Sequence, residues 1–118
     1  MVPTPNYIKS CLIRNATTHA VQVRVTCVAD IVGPRKGHHF RHNIDLAPGQ
    51  EYQVEERTIT DGSATFVSPI HKIDVQLPNE QQMSIKEPFD GVSGIRKNWL
   101  FVIENDHISS HEYGNFLY

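Results

Sequence analysis

The densest group of chemically capable side chains in this 118-residue sequence is Gly37-His38-His39-Phe40-Arg41-His42, preceded by Arg35 and Lys36. Two kinds of site can be built from it. Three imidazoles in five residues are candidate ligands for a divalent metal, which takes neutral nitrogen donors in a closed set of three or four. On an extended strand His38 and His42 share one face and His39 takes the other. A metal set therefore needs His38, His42 and a distant third ligand, for which His71 is the candidate. The other site is for an anion. Arg35, Lys36, His38, His39 and Arg41 would gather positive charge beside glycine-flexible backbone, whose amides can meet a phosphate or carboxylate. The bland alternative is that these charges keep a strand end soluble and guard an edge.

Catalytic constellations are harder to assemble. Serine, histidine and aspartate all occur, but no strand-to-helix elbow presents a nucleophile. Glu55 and Glu56 are neighbours in a predicted strand and so face opposite ways, which defeats paired carboxylate chemistry. Cys11 falls within an alternating strand, where a cysteine packs. His107 and His111 share a face only if the turn between them is helical. No catalytic residue and no cofactor are assigned. Arg96-Lys97 beside Trp99 is a second small basic spot, relevant to a phosphorylated ligand or single-stranded RNA only if it adjoins the first.

Composition narrows the partners. Eleven Lys and Arg against thirteen Asp and Glu give a formal net charge of -2. Such a balance offers no global attraction to nucleic acid or to a membrane surface. Residues 1–9 contain two prolines and no unbroken apolar run, and no later segment is long and apolar enough to span a bilayer. A soluble, cytoplasmic protein is expected. Cys11 and Cys27 are the only cysteines, and they read as reduced, buried thiols. Asn15-Ala16-Thr17 matches a glycosylation sequon, but Asn15 reads as a turn residue.

What must position these side chains is a β framework. Val21-Gln22-Val23-Arg24-Val25-Thr26-Cys27 changes polarity at every step, the mark of a half-buried strand. Similar runs are predicted at Tyr7 to Arg14, pairing with the Val21 strand through a turn at Asn15 to Thr18, and at His39 to Leu46, Ile70 to Leu77 and Gln82 to Lys86. Trp99 to Ile103 is apolar on both faces, as a central strand would be. Loops are expected at residues 31–37 and 87–98, and a single helical turn near Asp106 to Glu112, with either a last edge strand or a free apolar tail from Tyr113. Thr60-Asp61-Gly62-Ser63 predicts a hairpin with Asp61-Gly62 at its tip, and a bulge is expected near Glu55 to Arg57.

Ala47-Pro48-Gly49-Gln50 fits a type II turn, whose twist suits a corner between two layers better than a tight hairpin. Residues 46–54 resemble the connection in fibronectin type III domains that carries the tyrosine corner, although Trp99 is the only tryptophan and no early one is present. The resemblance implies that Tyr52 packs under the turn with its hydroxyl bonded to backbone.

Together these readings predict one all-β domain over 1–118, an antiparallel two-layer β-sandwich of about eight or nine strands with an immunoglobulin- or fibronectin-like layout. The expected core is Ile8, Leu12, Val21, Val23, Val25, Phe40, Ile44, Tyr52, Ile73, Val75, Leu77, Trp99, Phe101 and Ile103. The expected role is a non-catalytic binding or adaptor module that presents loops or a sheet edge to a protein partner, with self-association through an edge strand as one form of this. The alternatives are binding of a small anionic or phosphorylated ligand by the basic His-rich loop, and a metal-dependent enzyme using the histidines.

Overall fold

The computed structural model describes residues 7–29, 38–62, 64–87, 89, 91–92 and 94–112. In chain order the strands are β1 Tyr7–Ile8, β2 Cys11–Asn15, β3 Val21–Ala29, β4 His38–Leu46, β5 Glu51–Val54, β6 Thr58–Asp61, β7 Ala64–Val67, β8 Ile70–Gln76, β9 Gln82–Lys86, β10 Ile95–Arg96, β11 Trp99–Ile103 and β12 Ile108–His111. The one helical element among them is a 3₁₀ turn, Pro78–Glu80. No helix among the described residues is long and apolar enough to cross a membrane.

Two four-stranded sheets carry most of the chain. One has the order β12-β11-β2-β5, with β2 and β11 parallel, and the other is antiparallel in the order β4-β3-β8-β9. β1 and β10 form a short parallel pair, and β6 and β7 a separate hairpin. Alternation decides which side of each sheet is dry. Val21, Val23, Val25 and Cys27 of β3 join Cys11 and Ile13 of β2 and Trp99, Phe101 and Ile103 of β11 in one buried cluster. Each large side chain so buried contributes roughly 1.5–3 kcal/mol of transfer free energy. Phe89 adds an edge-on contact to Phe101, with ring centroids 5.0 Å apart.

Several expectations are realised. β4 pairs with β3 through nine consecutive positions, and Phe40 and Ile44 pack against the core while Leu46 is buried. Ile73, Val75 and Leu77 are buried, and β11 lies inside its sheet. The Ala47–Gln50 turn carries the chain from one sheet to the other, closed by Gln50 N donating to Ala47 O at 3.0 Å. Gly49 sits at φ +81°, where a side chain would be strained. Cys11 and Cys27 are free and buried.

Others are corrected. β2 does not pair with the Val21 strand; its neighbours are β5 and β11, so residues 15–20 turn a corner between sheets. The chain leaves strand geometry at Lys9 and Ser10, and this break shifts the phase: Cys11 and Ile13 face the core, and Leu12 is only half-buried. The hairpin register pairs Asp61 with Ala64 and Thr60 with Thr65, so Asp61 belongs to a strand of the hairpin and not to its tip. At residues 55–57 the strand is interrupted outright, and the register irregularity is found instead between Thr26 and Cys27, where β3 meets β8. Residues 108–111 form a strand rather than a helical turn. The last strand or tail expected from Tyr113 lies outside the described residues.

Tyr52 is 39% exposed, so the implied tyrosine corner is absent. Its place in the corner is taken by Asn15, which is wholly buried. The Asn15 amide donates to His19 O at 2.8 Å and to Leu46 O at 3.0 Å, and its carbonyl accepts from the Thr17 amide at 2.9 Å and the Thr17 hydroxyl at 2.7 Å. Its backbone accepts from Gly49 N at 2.8 Å and donates to Gln50 O at 3.0 Å. One side chain thus ties together both inter-sheet corners, and no amide hydrogen is left exposed for glycosylation.

Candidate functional site

Of the predicted metal set, His42 and His71 are the members whose side chains are described, and they stand on different strands. Arg35 and Lys36 lie outside the described residues. His38 and His39 begin β4, with their backbones in register with Ala29 and Val28. His42 turns to the core side of β4, whereas His71 lies on β8, with its Nδ1 3.5 Å from a Glu87 carboxylate oxygen. β4 and β8 flank β3 on opposite sides, about 10 Å apart at strand spacing. Among the described residues no three His, Cys, Asp or Glu side chains are placed to share a metal ion.

Arg41, from the predicted anion set, is exposed on the outer face of its sheet. The register there aligns Arg41 with Thr26, Thr26 with Lys72, and Lys72 with Lys86. The next row is Asn43, Arg24, Asp74 and Ser84, and the one after it Asp45, Gln22, Gln76 and Gln82. Alternation has sent every apolar residue of these strand segments inward. The outer face is thus polar across all four strands, with an open trough of about 630 Å³ over it. Two cross-strand bonds organise it, Arg24 Nε donating to Asn43 at 3.1 Å and the Ser84 hydroxyl to Asp74 at 2.6 Å, and along β8 Lys72 Nζ lies 3.4 Å from Asp74. Arg96 and Lys97 are engaged elsewhere, with Glu112 at 3.0 Å and Glu56 at 3.9 Å.

A second grouping was not legible in the sequence. β4 and β5 are terminal strands of different sheets, and between them opens a cleft of about 550 Å³ lined by His42, Tyr52, Glu55, Glu56, Arg57 and Thr58. Because strand geometry stops after Val54, Glu55 and Glu56 both line this cleft instead of facing opposite ways. Arg57 spans the gap. Its guanidinium carbon sits 4.8 Å from the centroid of the Phe40 ring, and Nη2 lies 2.8 Å from His42 Nε2. Guanidinium can only donate, so His42 Nε2 is the acceptor and the imidazole is neutral, with its proton on Nδ1. Burial, then the Arg57 charge, holds the His42 pKa below its ordinary value. The arrangement fixes a half-buried cation by stacking on one side and by a hydrogen bond on another.

On the opposite side of the molecule, Ser109 and His111 stand two apart on β12, with the serine hydroxyl 2.8 Å from His111 Nε2. The strand period of two brings them together, a pairing that the helical expectation for this segment hid. The same hydroxyl approaches Val102 O at 3.4 Å. His107 lies in the turn before β12 against Asp106 at 2.6 Å and Glu104 at 3.0 Å. The hydrogen bond to Asp106 raises its pKa.

The chain matches no protein-family model, no curated protein and no solved structure.

Proposed function

We propose that this chain is a non-catalytic binding module that captures an extended segment of a protein partner along the free edge of β4. The observation that carries this reading is the character of that edge. β4 is nine residues long, stays in register with β3 throughout and, among the described residues, ends its sheet with no strand on its other side. The other terminal strands of the two sheets, β5, β9 and β12, have four, five and four residues. Folded proteins blunt such edges with prolines, bulges or short strands. β4 contains no proline, and its register with β3 has no bulge. Charge is present at Arg41 and Asp45, but the main chain is neither broken nor kinked and supplies the donors and acceptors that an added strand needs.

The layout is a two-layer sandwich, similar to immunoglobulin and fibronectin modules in stacking two sheets, with its own strand order. A cytoplasmic setting accords with two buried, unpaired cysteines. The test is selection of ten-residue peptides from a random display library, followed by amide hydrogen exchange on the complex. Protection is expected along β4. Successive β4 amides point alternately to β3 and to the free side, so Asn43→Pro and Ile44→Pro separate the two roles. One variant loses a ladder bond and melts lower, while the other keeps its fold and loses the peptide. Peptides that protect only loops, or none retained at all, would refute the reading. Two copies joined edge to edge would show as a concentration-dependent mass in sedimentation.

A second reading is favoured by the row Arg41, Thr26, Lys72 and Lys86, which sets three cations across about 14 Å of sheet. This row would hold a polyphosphorylated small molecule. Tripolyphosphate is expected to raise the melting temperature, an effect that Arg41→Gln with Lys86→Gln removes. An unmoved melting temperature ends this reading.

A further inference from the structure

We propose that Arg57 reads a carboxylate on the captured segment, at the position that pairs with His42. The inference rests on the β4-edge reading and adds the chemistry of the partner. In an added strand, the residue directly opposite His42 sends its side chain to the same face as His42. That face opens into the cleft between β4 and β5, where the guanidinium of Arg57 stands against His42.

Three observations make this guanidinium a recognition group rather than a structural one. Among the described residues it has no carboxylate partner; its contacts are the Phe40 ring and the His42 nitrogen. One hydrogen of Nη2 is committed to His42, which leaves its other hydrogen, with a neighbouring Nε or Nη1 hydrogen, as a two-pronged donor for a ligand. Stacking has already fixed the plane of the fork, so a bidentate carboxylate is met with little further loss of side-chain freedom. The half-buried setting also strengthens a charge-assisted pair relative to one in open water.

The neighbouring charges sharpen the preference. Glu55 and Glu56 line the same cleft, and Glu56 is matched by Lys97 at 3.9 Å. A second acid on the partner would therefore meet repulsion. The site selects one acidic residue at one register position, which also fixes how the segment slides along β4.

The experiment uses nine-residue peptides of alternating Thr and Val with Lys at both ends and Glu, Gln or Lys at the centre. On the wild-type protein the Glu peptide is expected to bind about tenfold or more tighter than the Gln peptide, the worth of a charge-assisted bidentate bond. On Arg57→Gln the two should bind alike, with the Gln peptide's affinity unchanged, and Arg57→Glu should turn the preference to Lys. In case these variants misfold, the wild-type preference is also read against ionic strength, with which it should shrink. Equal binding of the three peptides to wild type, or a Glu preference that survives Arg57→Gln, overturns the inference and leaves the edge reading standing. If no peptide binds wild type, both fall.

Discussion

Replacing Asn15 by alanine is the most direct test of how the two sheets are joined. The side chain is fully buried and makes four hydrogen bonds, to two backbone carbonyls, one backbone amide and one hydroxyl. In Asn15→Ala the Leu46 carbonyl and the Thr17 amide lose a partner inside the protein. The His19 carbonyl is not orphaned, because the Thr17 hydroxyl, released from Asn15, turns its one hydrogen to that oxygen 2.8 Å away. Each buried polar group left unpaired costs about 1–3 kcal/mol, so two give about 2–6 kcal/mol before any cavity is counted. Against a domain stability of about 5–15 kcal/mol this is a large share. At about 3–5 °C per kcal/mol for a chain of this length, the melting temperature should fall by about 6–30 °C. Thr17→Val removes only the hydroxyl and should cost about 1–2 kcal/mol, and the double variant should show coupling, because the two groups share a bond. Paired thermal and urea unfolding would supply the numbers. An Asn15→Ala protein melting within about 3 °C of wild type would mean that the corner is held by something other than this side chain.

Four further outcomes are expected. His42 has a folded pKa below its ordinary 6.5, so the stability it confers is complete above about pH 6.5 and is lost as pH falls below that value toward the folded pKa. His42→Gln should flatten this slope in melting curves taken between pH 5 and 7.5. The opposite sign applies to His107, whose pKa is raised: its contribution is complete below pH 6.5 and fades as pH rises through the folded value, and full exposure to solvent keeps it small. Burial raises the pKa of both thiols, so neither Cys11 nor Cys27 should react with a disulfide reagent at pH 8 until the protein is unfolded; rapid labelling of native protein would contradict their placement. Ser68 is fully buried, and its hydroxyl has no partner among the described residues, so Ser68→Ala should be neutral or stabilising by about 1 kcal/mol, measured by urea unfolding.

The sequence disclosed elements wherever local rules act alone. β4 and β8 show their faces by alternation, and Pro48-Gly49 marks the corner because few other pairs accept its backbone angles. Phase was lost where the chain breaks without a proline or glycine to announce it, as at Lys9-Ser10, and this exchanged Leu12 for Cys11 and Ile13. The hairpin register failed for a related reason: Gly62 can take the first as well as the second place of a two-residue tip, and Asp61-Gly62 states a preference only. Tyr52 does face inward by register with Ile13, but β5 is a terminal strand, and nothing local says that its inner face opens on a cleft. The candidate site was legible in half. Phe40 and His42 were placed on one face, whereas Arg57 comes from beyond a strand in the other sheet, a contact that only the tertiary arrangement creates.

Parallel pairing of β2 with β11, and of β1 with β10, fastens residues 7–15 to residues 95–103. Such a clasp cannot close until the ribosome has released nearly the whole span between them. The entropic cost of bringing ends so distant together falls on the rate-limiting step of folding. During that wait β4 and β3 can already zip, because they are close in sequence, Ala29 and His38 being their facing ends. On the proposed reading, a nascent chain would expose β4 before it acquires a finished core, and a partner arriving early would meet that strand ahead of the completed fold.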